Sequence, residues 1–331
     1  MKIISIYCFL VLILIKNNIL IKNIKNFLKI IDISVIIPIF NAEKYLSSCL
    51  KSVIEQSLPN IEIICVNDGS SDNSLKILNE YKNIDNRLII INQKNQGPAF
   101  AKNYGIKISK GKYLAFMDSD DLYPNNFTLE LMLNNTINNN VLICGGGLTS
   151  FFNYNNNIIK LKKKSILSFN KYGRTKYYDY QYDYYYQRFI YNKNFIKKNK
   201  LYFPNYLRYE DPPFFIKTMA LAQYFYAINN ITYYYRIKKK PLIITEKKII
   251  DIFKGLKNSL DISKSMNLYK LYYNILRRLN SNFIINITKK FVKNKELKHI
   301  ISSIFNNISL DILRKGNFTF IKKKFYNKMM I

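Results

Sequence analysis

Four apolar, β-branched runs recur between residues 33 and 116, each separated from the next by a turn and a helical pattern. No other feature constrains the fold as much. Ile33-Ser34-Val35-Ile36-Ile37-Pro38, Ile61-Glu62-Ile63-Ile64-Cys65-Val66, Arg87-Leu88-Ile89-Ile90-Ile91 and Lys112-Tyr113-Leu114-Ala115-Phe116 have strand length. They lack a clean polar–apolar alternation, as expected of strands buried on both faces, and Pro38 is expected to stop the first. Between them, Asn41 is expected to cap a helix that carries Leu46, Leu50, Val53 and Ile54 on one face. Asp72, Asn73 or Ser74 caps a second helix, and Asn95-Gln96-Gly97-Pro98 leads into a third through Ala101 to Ile108. Strands and helices alternating at this spacing predict an α/β fold with a doubly wound, mainly parallel sheet.

The fourth run ends in Met117-Asp118-Ser119-Asp120-Asp121, three carboxylates within four residues. Such a cluster repels itself, and a divalent cation turns that repulsion into attraction because hard metals take carboxylate oxygens. In open α/β sheets ligands bind outside the carboxyl ends of the strands, where this cluster is expected. The plain alternative is an acidic turn in which Asp120 or Asp121 caps the next helix.

Beyond Asn134 the pattern weakens. Val141-Leu142-Ile143-Cys144 followed by three glycines reads as another strand, and residues 187–203 read as one or two helices. A helix is expected from about Ile216 to Ala222, followed by strand-like Tyr224–Ile228 and Ile231–Arg236. The Asn- and Tyr-rich stretch 153–186 is low in complexity. Its tyrosines at 177–186 either stack on a sugar or reflect compositional bias.

The net charge is +31, and residues 237–331 hold 22 Lys and Arg against 5 Asp and Glu, over half of the excess. A basic surface of this kind suits anionic lipid, nucleic acid or phosphate-bearing ligands, though a coding bias toward Lys, Asn and Ile also raises it. Apolar positions at helical spacing in 250–331 (Ile284, Ile287, Phe291, Val292) predict a basic helical C-terminal appendage. It is expected to rest against an anionic membrane. A single histidine, His299, leaves no room for a His-built zinc site or a Ser-His-Asp triad. The cysteines form no CxxC pair, and three of the four sit in apolar segments, which points to buried, reduced thiols and a cytosolic fold. Residues 1–31 read as an apolar and basic extension outside the fold, either a segment lying on a membrane or a misassigned start. The apolar run in it is too short for a comfortable span, and no small-x-small cleavage site follows.

Taken in order, Ser34–Asn41, Val66-Asn67-Asp68-Gly69-Ser70, Asn95-Gln96-Gly97 through Asn103, and Met117–Asp121 resemble the family 2 glycosyltransferases, which share the GT-A fold. The resemblance covers about 33–130 and, more loosely, 187–236. It implies a domain over 32–240, with a nucleotide-sugar half at 32–130 and an acceptor half at 131–240, followed by 241–331. It implies an inverting transferase (EC 2.4) moving a sugar from a nucleotide-diphospho-sugar to a hydroxyl of a glycan or lipid-linked acceptor. The usual setting is cell-surface polysaccharide or lipopolysaccharide synthesis, at the cytoplasmic face of the membrane. Asp68 would bind the donor's base or ribose, with the Pro38–Phe40 turn beside it; its plain role is an Asx-type turn with Gly69. Asp118-Ser119-Asp120 matches the DxD motif, with Asp118 toward the ribose and Asp120 holding Mg2+ or Mn2+. Lys102 stands where many relatives carry Arg and would offer charge to the diphosphate. Glu43 is a possible donor contact or simply an acid in the first turn of a helix. The Glu210-Asp211 pair resembles the family's ED motif, with Asp211 as base; its plain role is an acid ahead of Pro212 at a helix start.

Two features depart from the family. Its turn after the Tyr-Tyr-Arg strand is replaced by Lys240-Pro241-Leu242-Ile243-Ile244-Thr245, and the chain has no Trp and hence no Gln-x-x-Arg-Trp motif of processive synthases. Three other readings remain: an inactive nucleotide-sugar-binding protein, a nucleotidyltransferase, and a nucleic-acid-binding protein. The last has charge alone behind it, with no groove-reading or stacking motif, so nucleic acid is not an expected partner.

Overall fold

The computed structural model describes residues 30–154, 157–160, 167–237, 244–291 and 293–316. The expectations for residues 1–29, for the segment replacing the family's turn at 240–243, for Val292 and for residues 317–331 lie outside them.

The first half of the sheet follows the alternation of the sequence. Strands β1 (Ile33–Ile39), β2 (Ile61–Asp68), β3 (Leu88–Gln93) and β4 (Tyr113–Phe116) alternate with helices α1 (Glu43–Ile54), α2 (Ser74–Ile84) and α3 (Pro98–Ile108). β1 pairs in parallel with β2 on one side and β4 on the other, and β2 with β3. Because successive side chains leave opposite faces of a strand, each run feeds two cores. Ile36, Ile64, Leu114 and Phe116 pack on one face, and Val35, Ile37, Ile63 and Ala115 on the other. β1 runs one residue past Pro38, to Ile39.

One helix start differs from expectation and a second narrows it. Asn41 takes a positive φ of 49° and does not cap α1; its Oδ1 instead accepts from the Ser71 N–H at 2.8 Å, tying two loops together. At α2 the accepting side chain is Asp72, whose Oδ1 takes the Ser74 N–H at 2.9 Å.

After α4 (Thr128–Asn138) the sheet continues through β5 (Ile143–Tyr154), β6 (Asn157–Lys160), β7 (Gly173–Lys176), β8 (Phe189–Asn192) and β9 (Tyr224–Arg236), with short helices α5 (Tyr177–Tyr180) and α6 (Lys193–Lys198) and helix α7 (Asp211–Ala222). The nine-stranded sheet has the order β3-β2-β1-β4-β8-β5-β9-β7, with β6 paired to β5. β8 is antiparallel to both β4 and β5, in the middle of the sheet where a helix was expected. α7 begins five residues before the expected start, with Pro212 in its first turn. The two strands expected after it are one, β9, whose pairing with β5 shifts register near Gly147. The tyrosine run divides: Tyr177 and Tyr186 are core, while Tyr184 and Tyr185 reach the cavity described below.

Helices α8 (Glu246–Ser265), α9 (Tyr269–Leu279), α10 (Asn282–Lys290), α11 (Lys295–Asn306) and α12 (Leu310–Lys315) complete the described chain. Their apolar faces turn inward: Ile249, Phe253, Leu256, Ile275, Ile284 and Ile287 belong to the same core as Phe116 and Phe214. The apolar positions singled out in the sequence, Ile284 and Ile287, are therefore buried in the fold, while lysines and a few apolar residues such as Phe283 stay outside. Among the described residues no helix is long and apolar enough to cross a membrane. Cys49, Cys65 and Cys144 are buried and free, as their apolar surroundings predicted.

Candidate functional site

The carboxyl ends of the parallel strands open on a cavity of about 810 Å³. Three chain crossings build one side of it. β1 delivers Pro38 and, just beyond its end, Phe40, which is half exposed. β2 ends in Asp68, and β4 leads into Asp118-Ser119-Asp120.

Asp68 is buried, and its carboxylate organises the loop opposite. Oδ1 accepts from Gln93 Nε2 at 2.7 Å and from the Gln96 N–H at 2.8 Å, while Oδ2 accepts from the Gly97 N–H at 2.8 Å. The start of α3 is thereby fixed against β2. Gly97 sits at φ 94°, and a Cβ there would come within 2.8 Å of Leu207, so the loop needs glycine. The Asx-type turn foreseen for Asp68 belongs to Asn67, whose Oδ1 accepts from the Ser70 N–H at 3.2 Å. Glu43 is not among the cavity residues; its Oε2 accepts from the Asn73 N–H at 3.0 Å and braces the same loop pair.

The three acids after β4 have separate environments, and none caps the next helix, whose N-cap position is Phe127. Asp118 Oδ2 accepts from Gln187 Nε2 at 2.8 Å. Burial pushes the Asp118 carboxyl up, Lys102 draws it down, and Asp120 raises it again. Asp121 faces inward: Oδ2 accepts from the Tyr233 hydroxyl at 2.8 Å and Oδ1 from the Arg236 N–H at 2.7 Å. Burial, then the charges of Asp120 and Asp118, hold the Asp121 carboxyl well above the usual range. Arg236 is buried at the end of β9, donates from Nε to the Asp120 carbonyl, and lies over the Tyr45 and Phe151 rings at 4.5 and 4.4 Å.

Across the cavity, Glu210 and Asp211 stand at the start of α7. Their partner is Lys102, which is 3% exposed: its Nζ lies 2.8 Å from Glu210 Oε1 and 2.6 Å from Asp211 Oδ1. Lys102, expected to offer charge to a diphosphate, lines the cavity and is the counter-ion to this pair; an unpaired ammonium so deeply buried would be costly. Aromatic rings enclose it, with Phe203 at 4.8 Å and Tyr186 at 5.1 Å from Nζ, and Phe203 stacked on Phe214 at 3.9 Å. In this dry pocket burial alone would lower the Lys102 pKa, but Asp211 and Glu210 hold it well above its ordinary value. Burial would raise Glu210, yet Lys102 keeps it below the usual carboxylate range. Asp211 goes the other way: burial and the Glu210 charge outweigh Lys102 and push it up to about 7. Glu210 is the N-cap residue of α7 and makes no capping side-chain hydrogen bond, so neither acid is spent as a cap.

Gln187 and Arg236 were missed as site residues by the motif reading. Gln187 lies in a tyrosine-rich stretch with no motif around it, and its Oε1 is buried without a partner. Arg236 ends the Tyr-Tyr-Tyr-Arg strand, and its reach to the acidic loop depends on β9 crossing beneath Leu122, with which Tyr234 pairs. Among the described residues no three His, Cys, Asp or Glu side chains converge as a metal cage. Hard cations of the magnesium type are held by one or two carboxylates together with substrate phosphates, and Asp118 and Asp120 fit that donor set.

These features agree with the comparisons. The chain resembles the poly(ribitol-phosphate) beta-glucosyltransferase of Bacillus spizizenii, 31% identical over 220 residues, which are 62% of this chain and 32% of that protein. It spans about a third of the length of the curated relatives it matches first. Its fold is that of TarS residues 1–349 from S. aureus, solved in complex with UDP-GlcNAc, with a TM-score of 0.68 and 18% identity over 91% of this chain and 88% of that one. A mannosyltransferase from Pyrobaculum calidifontis, solved with GDP-Man and Mn2+, superposes with a TM-score of 0.52 and 12% identity over 90% and 83% of the two chains. The family model "Glycosyl transferase family 2" matches residues 34–224, more than half of the sequence, and the chain belongs to that family.

Proposed function

We propose that the protein is an inverting glycosyltransferase that transfers a sugar from a nucleotide-diphospho-sugar to a hydroxyl of a glycan or lipid-linked acceptor. The observation that carries this reading is one cavity walled by Asp118-Ser119-Asp120 on one side and by Glu210-Asp211 on the other. The two acidic groups come from chain segments 90 residues apart, so a purely local structural role explains neither convergence nor opposition.

In this reading the nucleotide lies over β1 and β2. Phe40 and Pro38 offer an apolar surface to the base, and Asp68 borders the ribose while still holding the α3 loop. Asp118 and Ser119 follow along the donor, and Asp118 and Asp120 would hold Mg2+ or Mn2+. Such an ion, when bound, supplies Lewis-acid stabilisation to the departing diphosphate. Asp211, kept part-protonated near neutral pH and 32% exposed, takes the proton from the attacking hydroxyl. Lys102 and Glu210 orient it. The setting would be cell-surface polysaccharide synthesis, with the basic outer faces of the C-terminal helices toward an anionic cytoplasmic membrane surface.

The test is a screen of UDP-, GDP- and dTDP-sugars for thermal stabilisation with and without Mg2+ or Mn2+, followed by donor turnover with the best of them. Stabilisation by one nucleotide class, with metal-dependent release of its diphosphate, is expected. Stabilisation without any turnover would demote the protein to a nucleotide-sugar binder, and no stabilisation by any donor would overturn the reading.

A further inference from the structure

The carboxylate pair at 210–211 hangs on a short loop, 205–210, within the family's matched region. Besides its contacts inside that region, it has support from helices α8 and α9, which lie beyond the region's end at residue 224. Three contacts make it. Asp251 of α8, 6% exposed, accepts the Leu207 N–H on Oδ2 at 2.8 Å. Gly255, one turn further, lets α8 press against Tyr209: a Cβ there would fall 2.5 Å from the Tyr209 carbonyl oxygen and 2.8 Å from its ring. Arg278 of α9 donates from Nη1 to the Tyr209 hydroxyl. That guanidinium is itself gripped by the buried Asp183, at 2.7 Å to Oδ2 and 3.1 Å to Oδ1, and stacks 4.2 Å from the centre of the Tyr184 ring. The Tyr184 and Tyr209 hydroxyls are 2.9 Å apart, and both residues line the cavity.

Tyr209 holds a φ of +70°, in the left-handed region that a residue with a ring adopts only at a cost of about 1–3 kcal/mol. Such a backbone persists only where its surroundings over-determine it, and here they do so from two helices. The turn at Tyr209 aims the next two residues, Glu210 and Asp211, across the cavity at Lys102.

We propose that α8 and α9 position the carboxylate pair for the reaction, with Arg278 as the positioning residue acting through Tyr209. This rests on the glycosyltransferase reading of the cavity. The groups facing Asp211 are Glu210 on its own loop, Lys102 from α3, Asp118 from the acidic loop and Tyr186 from the turn before β8. Arg278 is not among them, so its effect on turnover must pass through the loop.

Two variants test this. Arg278→Met removes the guanidinium but leaves Asp183 buried without a counter-ion. Tyr209→Phe keeps the ring and removes only the hydroxyl that Arg278 holds, so it covers the case in which the first variant fails to fold. Donor affinity, steady-state turnover and amide hydrogen exchange are measured for each and for the wild type. Misplacing a catalytic group by an ångström costs on the order of 10²-fold, so turnover should fall by about that much with donor affinity unchanged. Exchange should quicken across 205–211 and stay as in the wild type in β1–β4. Folded variants with wild-type turnover and wild-type exchange at 205–211 would overturn the proposal, as would loss of protection throughout the sheet, which would mark a general scaffold role. A wild-type protein that transfers from no donor would sink the functional reading instead. The exchange arm would still decide whether Arg278 holds the loop.

Discussion

The Lys102 ammonium lies 2.6 Å from Asp211 Oδ1 and is 3% exposed, so this cation of the site is paired with a carboxylate and not with solvent. This joins α3, from the first half of the sheet, to α7, from the second. Glu210 completes the triplet at 2.8 Å. Removing the cation from two acids in a pocket lined by Phe203 and Tyr186 leaves buried charge unpaired. Breaking a buried pair in this way costs about 3–5 kcal/mol. Lys102→Met should therefore lower stability by that order at pH 8, and less at pH 5 where a carboxyl accepts a proton. Chemical denaturation at the two pH values checks this, and equal losses at both would contradict the counter-ion role.

Asp211 should set a limb in the pH dependence of turnover. Its carboxyl is raised to about 7, above the ordinary 3.8, by burial and by Glu210. A base is useful only when deprotonated, so turnover should climb as pH rises toward 7 and level off above it. Asp211→Asn keeps the shape of the side chain but takes no proton, and should cut turnover by roughly 10²–10⁴-fold while sparing donor affinity. Near-normal turnover in that variant would remove Asp211 from the chemistry.

The same shift has a consequence for stability, of opposite sign to the familiar carboxylate case. A folded-state pKa above the unfolded one favours folding at low pH, and the advantage disappears as pH rises from about 4 through 7. Glu210, held below the usual range by Lys102, works the other way and stabilises the fold above its unfolded pKa, losing that contribution on acidification. Asp211→Asn removes only the first effect. Compared with the wild type, the variant should melt relatively higher at pH 8 than at pH 5. A melting difference that is the same at both pH values would show that Asp211 is not raised in the folded protein.

Much of the parallel half, β1–β4, was legible in the sequence because buried parallel strands are continuous apolar runs and their loops carry Asp68, Gly97 and Asp118–Asp120 in a recognisable order. The part beyond α4 was less so. β8 has only four residues, Phe189–Asn192, and its place between β4 and β5 follows from pairings with Leu114 and Ile143, far away in sequence. A four-residue antiparallel strand has no room to show a period, so it read as helix. The role of Lys102 was hidden for a related reason: its partners lie 108 and 109 residues on, and nothing local distinguishes a lysine awaiting a diphosphate from one already paired. The C-terminal helices were read by their spacing correctly as helices. Their apolar faces proved to close the core, because the outer face of the very apolar helix α7 needs cover.

The acidic loop offers the last separation, between neighbours that a sequence motif treats as one unit. Asp120 lines the cavity and is expected to hold a divalent cation with Asp118, whereas Asp121 is 1% exposed and ties β9 to the loop through Tyr233 and the Arg236 N–H. Asp120→Ala should abolish metal-dependent stabilisation by the donor and with it most turnover. Asp121→Asn should act on stability instead: replacing one of the two carboxyl oxygens that accept from buried donors costs about 1–3 kcal/mol, while any protein that remains folded still binds donor with metal. Melting curves with metal alone, donor alone, both, and both plus EDTA resolve the two. Wild-type donor stabilisation that survives excess EDTA would refute the metal assignment, and equal loss of donor stabilisation in both variants would refute the division of labour between Asp120 and Asp121.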